Sequence, residues 1–295
     1  MRITQSMMQD NLLRHLFNSQ AQMDKYLTQI TTGKKIRRPS EDPVVAMKGI
    51  SYRTEVAEVE QFRRNASEVW TWMDHSDDVL DKAGKAMQRI EELAVQAAND
   101  TYTPNERRSI QEEVKELRDQ LVELANTRVN GKYIFNGTHT EKERIVEVNG
   151  EYVVNELAEP MNDVLIEVSK GIEFPANVNP DGVFDNELFE HIQNFIDKLG
   201  SDGDVDFNDN IEELNQSTLN IVNGRAKLGA RMNRLELVED RLGHQEVIAQ
   251  DIMAKNEGVD FEEAVMNLLT QEVVHRAALA AGTKIIQPSL IDFLR

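Results

Sequence analysis

The residues of this 295-residue chain that could do chemistry are carboxylates and histidines, because the chain contains no cysteine. It can therefore form no disulfide, thiol nucleophile or cysteine-based zinc site. One acidic run places Asp202, Asp204, Asp206 and Glu213 at positions 1, 3, 5 and 12 of a calcium-loop count. Position 6 of such a loop requires glycine, and this chain has Phe207 there. We interpret the run as an acidic turn before a helix, with calcium binding as the alternative.

The histidines and the adjacent carboxylates lack the spacing of a catalytic or metal site. Glu112 and Glu113 are neighbours in sequence and would point to different sides of a helix, so they do not form a catalytic pair. No glycine-rich phosphate loop or nucleophile elbow is present. The sequence therefore predicts that the protein is not an enzyme and that it has no cofactor and no metal. The six scattered histidines are His15, His75, His139, His191, His244 and His275.

The distribution of charge argues against nucleic acid and membrane as partners. Residues 136–215 hold four basic and twenty acidic residues, most of the net charge of −19. The basic cluster at 34–38 stands beside acidic residues without interleaved aromatics, which favours a structured hinge loop over a nucleic-acid patch. No run of 18 apolar residues could cross a membrane.

Apolar residues repeat at steps of three and four near the amino terminus, which is typical of a coiled-coil helix. A similar pattern runs from residue 44 to about residue 99, long enough for a rod on the order of 80 Å. Arg63 and Asp77 interrupt its apolar seam, which indicates either partial solvent access or charge pairing across an interface. The first seam consists of Leu12, Leu16, Ser19, Met23, Tyr26 and Ile30.

A hinge loop is predicted between these two helices. Gly33 suits the carboxyl-terminal cap of the first helix. Pro39 excludes a helix interior, and Asp42 followed by Pro43 suits the beginning of the second helix.

The middle of the chain changes from helical to β-rich. A capping box at residues 103–106 begins a helix that we predict to end near Asn130-Gly131. Strands are predicted at 133–135, 144–148, 151–155 and 164–168, the second and third joined by an Asn149-Gly150 turn. A short amphipathic helix is predicted at 187–199.

The carboxyl-terminal part is helical again from about residue 209. Residues 256–258 interrupt it, and Asp260 suits the cap of a last helix. We expect this helix, over 260–281, to pair with 12–30, and the remaining apolar edges to face other subunits. The predicted packing residues here are Val265, Leu268, Leu269 and Val273, followed by the apolar chain end with Ile285, Ile286, Leu290, Phe293 and Leu294.

These elements predict a mainly α fold. Both chain termini form an elongated antiparallel helical bundle or coiled coil, with a small β-rich α+β insertion in the middle. The predicted domains are a terminal coiled-coil domain with its hinge (1–43 and 257–295), a long helical rod (44–135 and 209–256) and an acidic outward domain (136–208).

Two motifs resemble those of the flagellin superfamily. The first is Ile30-Thr-Thr-Gly-Lys-Lys-Ile-Arg-Arg-Pro-Ser-Glu-Asp-Pro-Val-Val-Ala, and the second is Arg225-Ala-Lys-Leu-Gly-Ala-Arg-Met-Asn-Arg-Leu-Glu. The resemblance covers residues 1–137 and 210–295. Pro39 and Pro43, with the Tyr133-Ile-Phe-Asn-Gly motif, favour the members at the hook–filament junction over flagellin itself, whose first motif is usually free of proline.

This resemblance implies a structural protein of the bacterial flagellum that forms a ring joining hook-side to filament-side subunits. Its partners would be further copies of the chain, a neighbouring hook-associated protein, flagellin and an export chaperone. The chain would leave the cell without a cleaved signal peptide. A flagellin-like filament subunit and a cytosolic coiled-coil scaffold remain alternatives. The residues assigned to chaperone contact are Leu242, Ile248, Ile252 and Phe261.

Overall fold

The computed structural model describes residues 5–99, 104–148, 150–155, 163–178, 182–201 and 206–286. Helices dominate these residues, as the heptad patterns predict. No helix in the described ranges is both long and apolar enough to cross a membrane. The helices are α1 (Gln5–Thr32), α2 (Pro43–Ala97), α3 (Pro104–Ala125), α4 (Asn186–Leu199), α5 (Asn208–Glu257) and α6 (Phe261–Ile286).

The strands form three separate antiparallel pairs in the middle of the chain. The hairpin predicted around Asn149-Gly150 is present, although Asn149 itself lies outside the described residues. The pairs are β1 (Arg128–Val129) with β2 (Lys132–Tyr133), β3 (Ile145–Val148) with β4 (Glu151–Val154), and β5 (Leu165–Ser169) with β6 (Ile172–Pro175).

Two predictions about this region were wrong in detail. Helix α3 ends at Ala125 rather than near residue 130, because Asn130 and Gly131 have φ angles of 52° and 79° and form the turn of the β1–β2 hairpin. The strand predicted at 133–135 reaches only Tyr133. Ile134 and Phe135 instead continue as irregular chain into the core, where both are fully buried.

The described residues form two compact units, one made of residues 5–58 with 245–286, which we call the terminal unit, and the other lying within residues 59–244. The 59–244 unit has one continuous hydrophobic core to which α2, α3, α4, α5 and the middle strands all contribute. Phe135 and Phe184 lie edge to face in it with ring centroids 5.0 Å apart. Phe207 stands where a calcium loop would need glycine. Its ring packs against that of Phe195, with the ring centroids 5.9 Å apart. Asp202 and Asp204 lie outside the described residues.

Packing therefore does not separate the predicted acidic domain, 136–208, from the helices around it. The side chain of Asn126, just after α3, joins the two parts. Its Oδ1 accepts hydrogen bonds from the amides of Arg144 and Ile145, and its Nδ2 donates to the Ile145 carbonyl at 2.8 Å. The three-domain division from sequence remains a prediction.

Of the two possibilities predicted for Asp77, solvent access or charge pairing, the structure shows charge pairing. Arg225 of α5 donates from Nε and Nη2 to the two carboxylate oxygens of Asp77, at 2.9 and 3.1 Å, and from Nη1 to Asp81 at 2.5 Å. The hydrogen bond to Asp77 is the main cause of a raised Arg225 pKa. This contact fixes α5 beside α2 within the 59–244 unit.

Candidate assembly surface and hinge

Helices α1 and α6 pack against each other in the terminal unit, as predicted. They run antiparallel, because Leu12 near the start of α1 touches Gly282 near the end of α6, while the Gly33 carbonyl accepts a hydrogen bond from Val259. The predicted α1 seam is the less exposed face of the helix. Its members are Leu12, Leu16, Ser19, Met23, Tyr26 and Ile30, all half-buried except Ser19, which is buried.

The predicted packing residues of α6 divide between the face that meets α1 and an exposed face, and their packing against other subunits remains a prediction. Leu268 belongs to the less exposed row and Val265 is half-buried, but Leu269 and Val273 are 56% and 59% exposed. Small residues on α6 allow the two helices to approach closely. At Gly282, for example, a Cβ atom would lie only 2.8 Å from Leu12 Cδ2. The less exposed row, at steps of four and three, is Ala264, Leu268, Gln271, His275, Ala278 and Gly282.

The α1–α6 seam is a weak one. Ser19 Oγ and His275 Nδ1 are buried in the described structure without a hydrogen-bond partner. Each such atom costs about 1–3 kcal/mol. The pair has little apolar burial of its own to offset this cost, since Ala264 is the only apolar residue buried among the described side chains of the two helices.

Exposed apolar side chains are concentrated in the terminal unit. Among the described residues, 17 of the 23 large apolar side chains that are exposed belong to this unit, against one of the 36 large apolar side chains that are buried. Leu13, Phe17 and Leu27 of α1 lie outside the seam and are 50%, 68% and 54% exposed. A surface of this kind is typical of a subunit whose burial is completed by other chains.

The end of the chain cannot be placed on this surface. Ile285 and Ile286 belong to the last turn of α6, but their side chains lie outside the described structure. Leu290, Phe293 and Leu294 follow the last described residue. Their assignment to subunit packing remains a prediction.

The hinge loop connects α1 to α2 and also contacts the turn between α5 and α6. Lys34 and Gly258 form an antiparallel bridge, and the Lys35 amide donates to the Glu257 carbonyl at 2.7 Å. Asp42 caps α2 by accepting from the amides of Val44 and Val45 at 3.0 and 3.1 Å. The prediction of a helix cap at Asp42 is thus confirmed.

An ionic clamp centred on Glu257 holds this hinge. The Arg53 guanidinium donates from Nε to Oε1 at 2.6 Å and from Nη2 to Oε2 at 2.7 Å. Lys34 Nζ lies 3.8 Å from Oε2. Gly49 leaves room for the carboxylate, since a Cβ there would lie 2.9 Å from Oε1. Asn256 adds a hydrogen bond to the Val45 carbonyl at 3.1 Å.

Sequence reasoning missed this clamp. It noticed the interruption at 256–258 but offered no partner, because Arg53 is 204 residues away in the chain. A glutamate at the last position of a helix is unfavourable for the helix dipole. This unfavourable position was the one local signal in the sequence that Glu257 binds a specific cationic side chain.

The clamp makes the hinge sensitive to acid. The hydrogen bond from Arg53 is the main cause of a lowered Glu257 pKa. Since the pKa is lower in the folded protein, the clamp stabilises the hinge above the ordinary glutamate pKa of about 4.3 and is lost as the pH falls through the folded value. We expect Glu257→Gln to weaken hydrogen-exchange protection of the Lys35 and Val259 amides severalfold at pH 7, and the difference from the wild type to shrink as the pH falls below about 4.3.

Each of the two proteins is the control for the other at a given pH, because intrinsic exchange rates also change with pH. Equal protection of the two amides in both proteins at pH 7 would show that Glu257 does not hold the hinge.

The residues assigned to chaperone contact fall into two groups. Ile248, Ile252 and Phe261 are exposed, whereas Leu242 is fully buried in the core of the 59–244 unit. A partner could reach Leu242 only if that core opened. The contact itself remains a prediction.

Comparison with known proteins points to one family. The model of the bacterial flagellin N-terminal helical region matches residues 3–140, and that of the C-terminal helical region matches residues 204–294. Flagellar hook-associated protein 3 of Escherichia coli is 28% identical over 306 residues, covering 96% of both chains. The protein of the same name from Salmonella typhimurium is 27% identical over 100% of both chains. The crystal structure of Bacillus cereus FlgL, at 25% identity, matches 69% of this chain and 99% of its own with a TM-score of 0.59.

Proposed function

This chain belongs to the flagellin family, and we propose that it is the structural subunit that joins the hook of the bacterial flagellum to its filament. Two relatives that carry the name hook-associated protein match it over almost their whole length. The two prolines of the hinge, Pro39 and Pro43, also favour a junction subunit over flagellin itself. The function is mechanical, and we assign no catalytic residue.

The observation that carries the proposal is the uneven burial of apolar side chains. The 59–244 unit buries its own apolar residues, whereas the terminal unit leaves most of its apolar residues in water. Complete burial of one Leu, Val or Phe side chain contributes about 1.5–3 kcal/mol. Covering even a few of these side chains with a neighbouring subunit would therefore hold the subunit firmly in an assembly.

The partners that cover this surface follow from the proposed position. Copies of this chain would contact one another in a ring, with a hook-associated protein on one side and flagellin on the other. Before assembly an export chaperone would hold the carboxyl-terminal region, and the chain would reach the cell exterior without cleavage of a leader. The α1–α6 pair would then become fully stable only in the assembled ring.

Labelling of intact flagella tests the proposal against the flagellin alternative. Antibody or gold label directed at an epitope on this chain is expected in one thin band between hook and filament. Flagellin on the same preparation should be labelled along the whole filament, as the positive control. Label along the entire filament would establish the alternative, and label confined to the cytosol would overturn both.

A further inference from the structure

The hinge contains an apolar cavity bordered by arginines. It has a volume of about 230 Å³, and Ile36, Pro39, Val45 and Ile50 supply its apolar lining. We call it the hinge socket. Ile50, at 64% exposure, leaves the cavity open to solvent. A cavity of this character suits one apolar side chain from another molecule.

Two arginines of the socket, Arg37 and Arg38, indicate that the bound molecule should also have negative charge. Arg37 and Arg38 line the socket, and their guanidinium groups form no ion pair or hydrogen bond with other described residues. Both also line an adjacent polar cleft of about 300 Å³ that contains Lys25 and Lys34. Asp24 and Glu41 also line this cleft, and Arg53 and Glu257 also line the socket, so basic residues outnumber acidic ones by four to two in the cleft and by three to one in the socket. The socket therefore fits an apolar side chain flanked by carboxylates.

The first turn of α6 presents that combination. Phe261 is 58% exposed and is followed by the exposed carboxylates of Glu262 and Glu263. Asp260 fixes their backbone by accepting hydrogen bonds from both glutamate amides at 3.1 Å. Neither glutamate side chain forms an ion pair among the described residues. We call Phe261, Glu262 and Glu263 the acidic knob.

Knob and socket belong to the same unit but do not meet within one chain, because Phe261 does not line the socket and is largely in water. We propose that the acidic knob of one copy of this chain inserts into the hinge socket of the next copy. The contact uses two different patches, so it is head-to-tail and generates a closed ring or a helix. This inference rests on the proposed function, and it identifies the copy-to-copy contact of that assembly.

Disulfide trapping in assembled flagella tests the contact, and the lack of native cysteine makes every introduced pair unambiguous. Flagella that carry the double variant Ile50→Cys with Phe261→Cys are expected to give dimers and larger products under mild oxidation. Ile50→Cys with Met266→Cys is the matched control, since Met266 is 63% exposed on the same helix but outside the knob. The purified monomeric variant should give no intramolecular disulfide.

Absence of dimers from subunits that are incorporated at the junction would overturn the knob-and-socket contact alone. Equal cross-linking of the Met266 control would overturn it too. Subunits labelled along the whole filament would instead overturn the proposed function, so the two failures are distinguishable.

Charge reversal gives a second readout that needs no cysteine. Arg38→Glu is expected to reduce incorporation by about tenfold or more, because it places like charges against each other in the contact. Combining it with Glu262→Arg should restore incorporation. A double variant as defective as Arg38→Glu alone would contradict the contact, provided that both proteins melt as the wild type does.

Discussion

A Phe17→Asp variant is expected to fold as stably as the wild type and yet to be missing from the flagellum. Phe17 is 68% exposed on the outer face of α1, so its replacement should change the free energy of unfolding by no more than about 0.5 kcal/mol. In an assembly the same position would bury an unpaired carboxylate, which costs several kcal/mol. Incorporation and motility should therefore fall by about a hundredfold or more.

Thermal melting of the purified subunit, together with labelling and soft-agar motility, measures the two effects separately. Asn18→Asp is the matched control, because it adds the same charge one residue away on a face that is neither the seam nor the exposed apolar row. Normal motility of Phe17→Asp would show that this face of α1 remains in water in the assembly.

The second large effect is on stability. Phe135→Ala should destabilise the 59–244 unit by about 3–5 kcal/mol, since Phe135 is fully buried and packs edge to face against Phe184. For a unit of this size the melting temperature should fall by about 6–20 °C. Calorimetry or circular dichroism of the full chain measures the shift.

Leu237→Ala provides the comparison for this experiment, because Leu237 lies in the same unit but is 71% exposed. Its melting temperature should stay close to that of the wild type. If the two variants melted alike, Phe135 would not be part of the core that holds this unit together.

Helices were predictable from the sequence because their ends carry local signals. Asp42 with Pro43 begins α2, Asp260 begins α6, and the interruption at 256–258 ends α5, all where the structure has them. The hairpin at Gly150 was predictable for the same reason. The charged residue Asp77 on an apolar seam also indicated that a charge pair was one of two possibilities there, although it did not identify Arg225 as the partner.

Features that depend on distant packing were not predictable. Asn130-Gly131 fits a helix end as well as a hairpin turn, and only the core decides in favour of the hairpin. The stripe through Leu269 and Val273 is as apolar as a buried one. The inward row of α6 was missed because it is chosen by close approach at small residues such as Gly282, and not by hydrophobicity.

The candidate site shows the same division. The hinge residues Gly33, Pro39, Asp42 and Pro43 could be identified from turn and cap chemistry. The Glu257–Arg53 clamp and the hinge socket could not, because both depend on the tertiary packing of α2 against the end of α5 in the terminal unit.

The uneven burial also determines the order in which the chain can fold. The 59–244 unit is one continuous segment, whereas the terminal unit joins residues such as Arg53 and Glu257, 204 positions apart. Closing a loop of that length in an unfolded chain costs about 5 kcal/mol of entropy. Once Arg225 is bound to Asp77, the stretch of chain that must still close between Arg53 and Glu257 is much shorter. We therefore expect the apolar surface of the terminal unit to be the last part of the molecule to form.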